Sequence, residues 1–310
     1  MQAFLNLLGQ TNIPAIVAAL LLCLAYLPPL WQALPQSPAQ GQTTEGSKQT
    51  RWRLLAFLVA LVAMLAVLVT PINSLARSQL FFMHMLQVIV LSTLCAPLLL
   101  LAMPAALLKR LRPEESQGRS NRSSFLRWLT RPLPASILYN GFFLLWHLPP
   151  LYLATSEQAL LYDLALLALL LLALLNWWPL LGPAEEKRRL SYPAQMLYAF
   201  LDGQPIDIYA FLLVFSGTLF YPVYAQQPHP LIAPLSDQEA AGAMLLIPGL
   251  VDLIVMTPLF FRWLALLEEK ARIRDLQLQQ ALEEEEQRQG QELSEHRQAA
   301  SEPSPGLSGE

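Results

Sequence analysis

Seven apolar stretches dominate this chain: roughly Ile13–Leu34, Trp52–Ile72, Phe81–Met103, Leu133–Pro150, Ala159–Leu181, Met196–Phe220 and Ala240–Leu266. Each is long enough to cross ~30 Å of bilayer hydrocarbon as a helix. The cations then orient the set. Nineteen of the twenty Lys and Arg residues fall in alternate connections: Lys48, Arg51 and Arg53; Lys109 to Arg131; Lys187, Arg188 and Arg189; and Arg262 to Arg297. Only Arg77 lies on the other side. An excess of Lys and Arg marks cytoplasmic loops, so the N-terminus is expected outside and the C-terminus in the cytoplasm. The expected fold is an all-α, seven-helix transmembrane bundle.

With 54 % hydrophobic and 14 % charged residues, the chain is built for lipid rather than water. Residues 1–267 read as one membrane domain. Residues 268–310, with eleven acids against five bases, read as a cytoplasmic tail. The tail is expected to be helical to about residue 289, supported by Glu268–Arg272 and Glu284–Arg288 at spacing four, and disordered beyond. No positive n-region precedes the first apolar stretch, so that stretch is expected to be a retained helix. Cys23 and Cys95 both lie in apolar segments and offer no disulfide framework. The basic loops are explained by membrane orientation, so no nucleic-acid partner is expected; membrane lipid is.

Ionisable groups are costly inside a spanning helix, which makes each one a functional candidate. The set is His84, His147, Asp163, Asp202, Asp207 and Asp252. The topology places His84, His147 and Asp163 in one outer-leaflet layer, near Asp237 and Glu239. His84 sits in Met83-His84-Met85, where imidazole and thioethers together suit copper, Cu(I) above all. The alternative is a hydrogen-bonded interfacial histidine with methionine as filler. Asp202, Asp207 and Asp252 form either a proton or ion path or a satisfied interhelical cluster, with Gln204, Tyr209 and backbone groups freed by Pro205 and Pro248 as available partners.

Several ordered segments carry a resemblance. They are His84–Gln87 (HMLQ), Ala96–Pro104, Trp146–Tyr152 (WHLPPLY), Asn176–Pro183 (NWWPLLGP), Arg189–Leu201, Thr218–Ala225 and Asp237–Gly249. Together they resemble the CtaG-type cytochrome c oxidase assembly factors. The resemblance implies a non-enzymatic assembly factor for a respiratory haem–copper oxidase in a bacterial-type cytoplasmic (inner) membrane. The implied partner is a terminal oxidase subunit and the implied cofactor copper. The family's HMxxH is cut short here, since Val88 stands at its second histidine. The family's HxxxH positions hold Tyr162 and Leu166. Only His84 and His147 remain of five recurring histidines, with Met83, Met85 and Asp163 as candidate helpers.

Two roles within that reading stay open: presentation of copper at the outer face, or a metal-free scaffold. Any copper is expected to bind more weakly than in a member keeping all five histidines. A different class, an ion- or proton-coupled transporter, would rest on Asp202, Asp207 and Asp252. An odd number of spans and no visible internal repeat argue against it.

Overall fold

The computed structural model describes residues 12–33, 44–104, 107, 125, 128–182, 190–226 and 232–301. The basic clusters around Lys109–Arg127 and Lys187–Arg189 lie outside the described residues, as does the tail beyond Ser301. All regular elements among the described residues are helical. The chain divides into two units after Thr257.

The first unit begins with α1 (Ile13–Gln32), whose N-terminus is capped by Asn12 Oδ1 accepting from the Ala15 N–H at 2.8 Å. α2 (Thr44–Val69) stops where Pro71 follows, since proline has no N–H to continue the ladder. Pro71 instead opens α3 (Pro71–Ser78), a short helix capped by Thr70 and burying Asn73 and Ala76.

The third apolar stretch forms one rod with three parts: α4 (Phe81–Ile89), a π-helical turn (Val90–Cys95) and α5 (Ala96–Ala102). Pro97 explains the turn. An α-helical Pro97 would press its ring on the carbonyl four residues back. Widening to the five-residue bond from the Ala96 N–H to the Leu91 carbonyl relieves that crowding. This rod is the most buried of the long helices, with Phe81, His84, Met85, Gln87, Val88, Leu91 and Leu99 all enclosed.

Among the described residues, six helical stretches are long and apolar enough to cross a membrane, the sixth being Pro234–Gln291. The fourth expected span departs from that pattern. α6 (Pro132–Trp146) has 15 residues, about 22 Å of rise. It ends because Pro149 forces Leu148 into an extended conformation, φ −62° and ψ 129°. α7 (Pro149–Ser156) follows, then α8 (Ala159–Leu181) and α9 (Tyr192–Phe215). A 3₁₀ turn at Pro222–Gln226 leads to α10 (Pro234–Leu245). The single helix expected over Ala240–Leu266 is therefore broken. Leu246 bonds back only three residues to Ala243, because Pro248 cannot donate to Met244.

α11 (Ile247–Ser301) carries the chain into the second unit. Its helix extends past Gly290, where composition predicts an end. Arg272 pairs with Glu269 at 3.3 Å rather than with Glu268, and side-chain exposures of 72 % and 50 % make this ion pair a weak contributor.

The first unit's surface is apolar, with Leu24, Leu133 and Phe215 each more than 70 % exposed. This is the inside-out pattern expected where hydrocarbon is the solvent. α9 and α10 approach closely at Gly242, where a Cβ would lie 2.8 Å from the Ala210 carbonyl oxygen and from Leu213. Gly242→Ala is therefore expected to lose about 1–3 kcal/mol and to lower the unfolding temperature in detergent. Gly141 has nothing within 4 Å of its missing Cβ. Gly141→Ala should leave that temperature unchanged or raise it, since alanine is the better helix former.

Candidate functional site

Three helix ends converge on a buried imidazole pair. His84 is one turn into α4, His147 follows the last residue of α6, and Tyr162 is one turn into α8. The two Nε2 atoms lie 3.1 Å apart. His84 is fully enclosed and His147 is 1 % exposed. The shared depth expected from topology is thus matched by direct contact between the rings.

Each ring is held from behind. His84 Nδ1 lies 2.7 Å from the Tyr162 hydroxyl. His147 Nδ1 lies 2.7 Å from the Phe143 carbonyl oxygen. The same carbonyl also accepts the His147 backbone N–H at 3.1 Å. The Tyr221 hydroxyl donates to the His147 carbonyl, and Tyr209 and Tyr221 hydroxyls meet at 2.5 Å. Rings of Trp146, Tyr152 and Phe81 close over His84, with centroids 4.8–5.8 Å away.

Behind Tyr162 a chain of polar groups links four helices. The Tyr162 hydroxyl donates to Gln87 Oε1 at 2.7 Å. Gln87 Nε2 donates to the Val67 carbonyl at 2.7 Å and to Asn73 Oδ1 at 2.8 Å. Asn73 Nδ2 donates to Asp163 Oδ1 at 2.9 Å. Asp163 is therefore bound into this chain, and Arg77 is close enough to act on its charge. Outside the spans, burial raises the phenols of Tyr152, Tyr221 and Tyr224 above their ordinary value, Tyr152 also through the neighbouring Tyr224, so all three are neutral hydrogen-bonding groups.

Asp237 and Gln238 hold the ends of the chain around this site. Asp237 carboxylate oxygens accept from the Phe81 N–H at 2.6 Å and the Phe82 N–H at 3.1 Å, capping α4. Gln238 Oε1 accepts from the Phe220 N–H at 2.7 Å.

As a metal site the pair is sparse. Among the described residues, no group of three or more His, Cys, Asp and Glu is placed to hold a metal ion. Val88 and Leu166 are buried hydrophobics, Met85 lies in the core and Met83 is half-buried. The 3.1 Å gap is shorter than two metal–nitrogen bonds of ~2 Å each, so an ion between the rings requires them to part. The donor set fits an ion content with two imidazoles. It does not fit a closed tetrahedral site.

The second polar cluster lies farther along α8, at Asn176, ~21 Å from the level of Tyr162. Asp202 accepts from Asn140 Nδ2 at 2.9 Å and from Asn176 Nδ2. The Tyr198 hydroxyl donates to Asn176. Asp207 and Asp252 carboxylates face Gly203, with oxygens 3.8 and 3.2 Å from where its Cβ would be. Two partners expected for this cluster bond elsewhere: Gln204 donates to the Phe200 carbonyl at 3.0 Å, and Tyr209 joins Tyr221. Asp202, Asp252, Tyr139 and Tyr198 line a cavity of about 60 Å³, room for water but not for an organic substrate.

Sequence reasoning found both histidines but missed Gln87, Asn73 and the Phe143 carbonyl. The signal for Gln87 was present, since it lies three residues after His84 on the same helical face.

Fold and site together define a multi-pass helical membrane protein with a buried histidine pair where three helix ends meet. Residues 39–265 match the family described as cytochrome c oxidase caa3 assembly factor (Caa3_CtaG), and the chain belongs to that family. No curated protein and no solved structure matches it.

Asp237→Ala is expected to cost about 1–2 kcal/mol by uncapping α4. Asp237→Asn, which keeps one acceptor oxygen, should cost less. Thermal unfolding of the purified protein in one detergent orders the two variants.

Proposed function

We propose that this chain is a non-enzymatic assembly factor that holds one copper ion transiently between His84 and His147 while a haem–copper oxidase matures. The observation that carries this reading is the direct approach of two buried Nε2 atoms, 3.1 Å apart. A desolvated imidazole pair is a neutral nitrogen donor set, and imidazole is a donor that suits copper. Two donors alone make a site that releases its ion readily, as delivery requires. The oxidase subunit receiving the copper is the partner.

In this reading all seven apolar stretches cross the membrane, with the N-terminus outside. α6 accounts for the short fourth crossing and α7 carries the chain along the outer surface. The 19-to-1 distribution of Lys and Arg supports that orientation. It sets the histidine pair in the outer leaflet, the side where an exported copper centre is completed. A reporter fused after Glu310 should be active only in its cytoplasmic form. Activity in the periplasmic form would overturn the orientation.

A metal-free scaffold is the second reading, and the absence of a third ligand among the described residues favours it. Deleting the gene should lower oxidase activity, with partial recovery on added copper. His84→Ala and His147→Ala should each reproduce the deletion while the protein still accumulates in the membrane. Full oxidase activity with both variants would leave the scaffold as the working role. The copper that binds should be weaker than in a member with all five histidines, measured by Cu(I) competition on purified proteins.

A further inference from the structure

The tautomer of His84 is set through Tyr162 by groups, Gln87 and Asn73, that do not touch the histidines themselves. Carbonyl oxygens only accept hydrogen bonds, so the Gln87 amide must turn its nitrogen to Val67 and its oxygen to Tyr162. Asn73 gives the same answer independently. Its nitrogen faces the Asp163 carboxylate, so its oxygen faces Gln87 and again requires the Gln87 nitrogen there. Flipping either amide would set two acceptors against each other in a buried place.

The Tyr162 phenol has one proton, and Gln87 Oε1 takes it. Its oxygen can then only accept at the 2.7 Å contact with His84 Nδ1, so His84 carries its proton on Nδ1. His147 Nδ1 faces the Phe143 carbonyl and must also be protonated. A neutral imidazole has one N–H. Both Nε2 atoms are therefore bare, and their lone pairs meet across 3.1 Å. Gln87, Tyr162 and His84 are fully enclosed, so no water can relieve that opposition. Only an electron-pair acceptor placed between the rings does.

We infer that Asp163, Asn73, Gln87 and Tyr162 are positioning residues that lock His84 as the Nδ1–H tautomer, and that the converging Nε2 pair selects a two-coordinate, soft monovalent cation. This deepens the reading of the pair as a copper site and rests on it. Selection follows from charge and coordination number. A monovalent d¹⁰ ion such as Cu(I) or Ag(I) is satisfied by two neutral nitrogens on opposite sides. Zn(II) needs about four ligands and brings twice the charge into a dry site. Val88 and Leu166, one helical turn on from His84 and Tyr162 and only 2 % and 0 % exposed, are hydrocarbon and offer no further donor.

The test uses the full-length protein with ¹⁵N-labelled histidine, assigned by comparison with His84→Ala and His147→Ala. Metal-free protein, at a pH where both rings are neutral, should show protonated Nδ1 and bare Nε2 for both residues. One equivalent of Ag(I) should shift both Nε2 signals and leave both Nδ1 protonated. Zn(II) should bind at least tenfold more weakly. Tyr162→Phe should let His84 populate the Nε2–H form and weaken Ag(I) binding at least tenfold. Tyr26→Phe removes a remote buried hydroxyl that donates to the Leu99 carbonyl, and should change neither signal nor affinity.

A protonated Nε2 on His84 in the unmodified protein would overturn the relay, whatever metal binds. That spectrum decides the point even if Tyr162→Phe fails to fold. Zn(II) binding as tight as Ag(I) would overturn the selectivity. The expected tautomers without ion uptake, or with one proton shared between the rings, would overturn the cation assignment and the copper reading together. Oxidase activity in cells is a separate measurement, so the assembly role can survive or fail on its own.

Discussion

Hydrocarbon offers no hydrogen bonds, so a polar group brought into this bundle is costly unless another part of the chain satisfies it. That constraint organises the interior more tightly than apolar packing does. Gln87, Asn73, Asp163, Tyr162 and both histidines are each bound to a partner on a different helix, or to a carbonyl that a helix end has released. A greasy surface can slide over lipid. A donor–acceptor sequence running across four elements has one register, and it pins α2, α3, α4 and α8 together at one end of the first unit.

Prolines decide where those carbonyls become available. Pro149 and Pro150 stop α6, leaving His147 at its end, where the Phe143 carbonyl accepts both its backbone N–H and its ring nitrogen. Pro71 ends α2 and starts the short helix that delivers Asn73 to Gln87. Pro97 is absorbed by the π-helical turn, so the rod carrying His84 and Gln87 stays continuous. Two effects of proline, a missing donor and a restricted neighbour, thus place the two halves of the histidine pair.

Much of this was legible in the residues. Hydropathy located the six long apolar helical stretches among the described residues, and the two histidines expected to share a layer are in contact. The fourth span was misjudged in length because hydropathy does not register the Leu148–Pro149 stop. The break at Leu246 was missed in the same way, although Pro248 was already marked as a kink. The partners of Asp202 were misread too. Gln204 and Tyr209 were near in sequence, whereas Asn140 and Asn176 come from neighbouring helices that sequence alone does not identify. The relay was hidden for that same reason: its members lie on separate helices, and only tertiary packing makes them adjacent.

In the proposed copper reading, Tyr162 stands where the family resemblance implies a histidine. A third imidazole there would compete for the ion. The phenol cannot bind a soft cation as a neutral group, yet it reaches the same neighbour and hydrogen-bonds to His84 Nδ1. If that reading holds, the phenol at this place dictates which nitrogen of His84 is bare. Leu166 and Val88, one helical turn on from Tyr162 and His84, are buried hydrocarbon and offer no donor. A site pared down in this way loses affinity with each donor removed. It keeps direction, because the two remaining nitrogens are held facing one another by bonds made on their far sides.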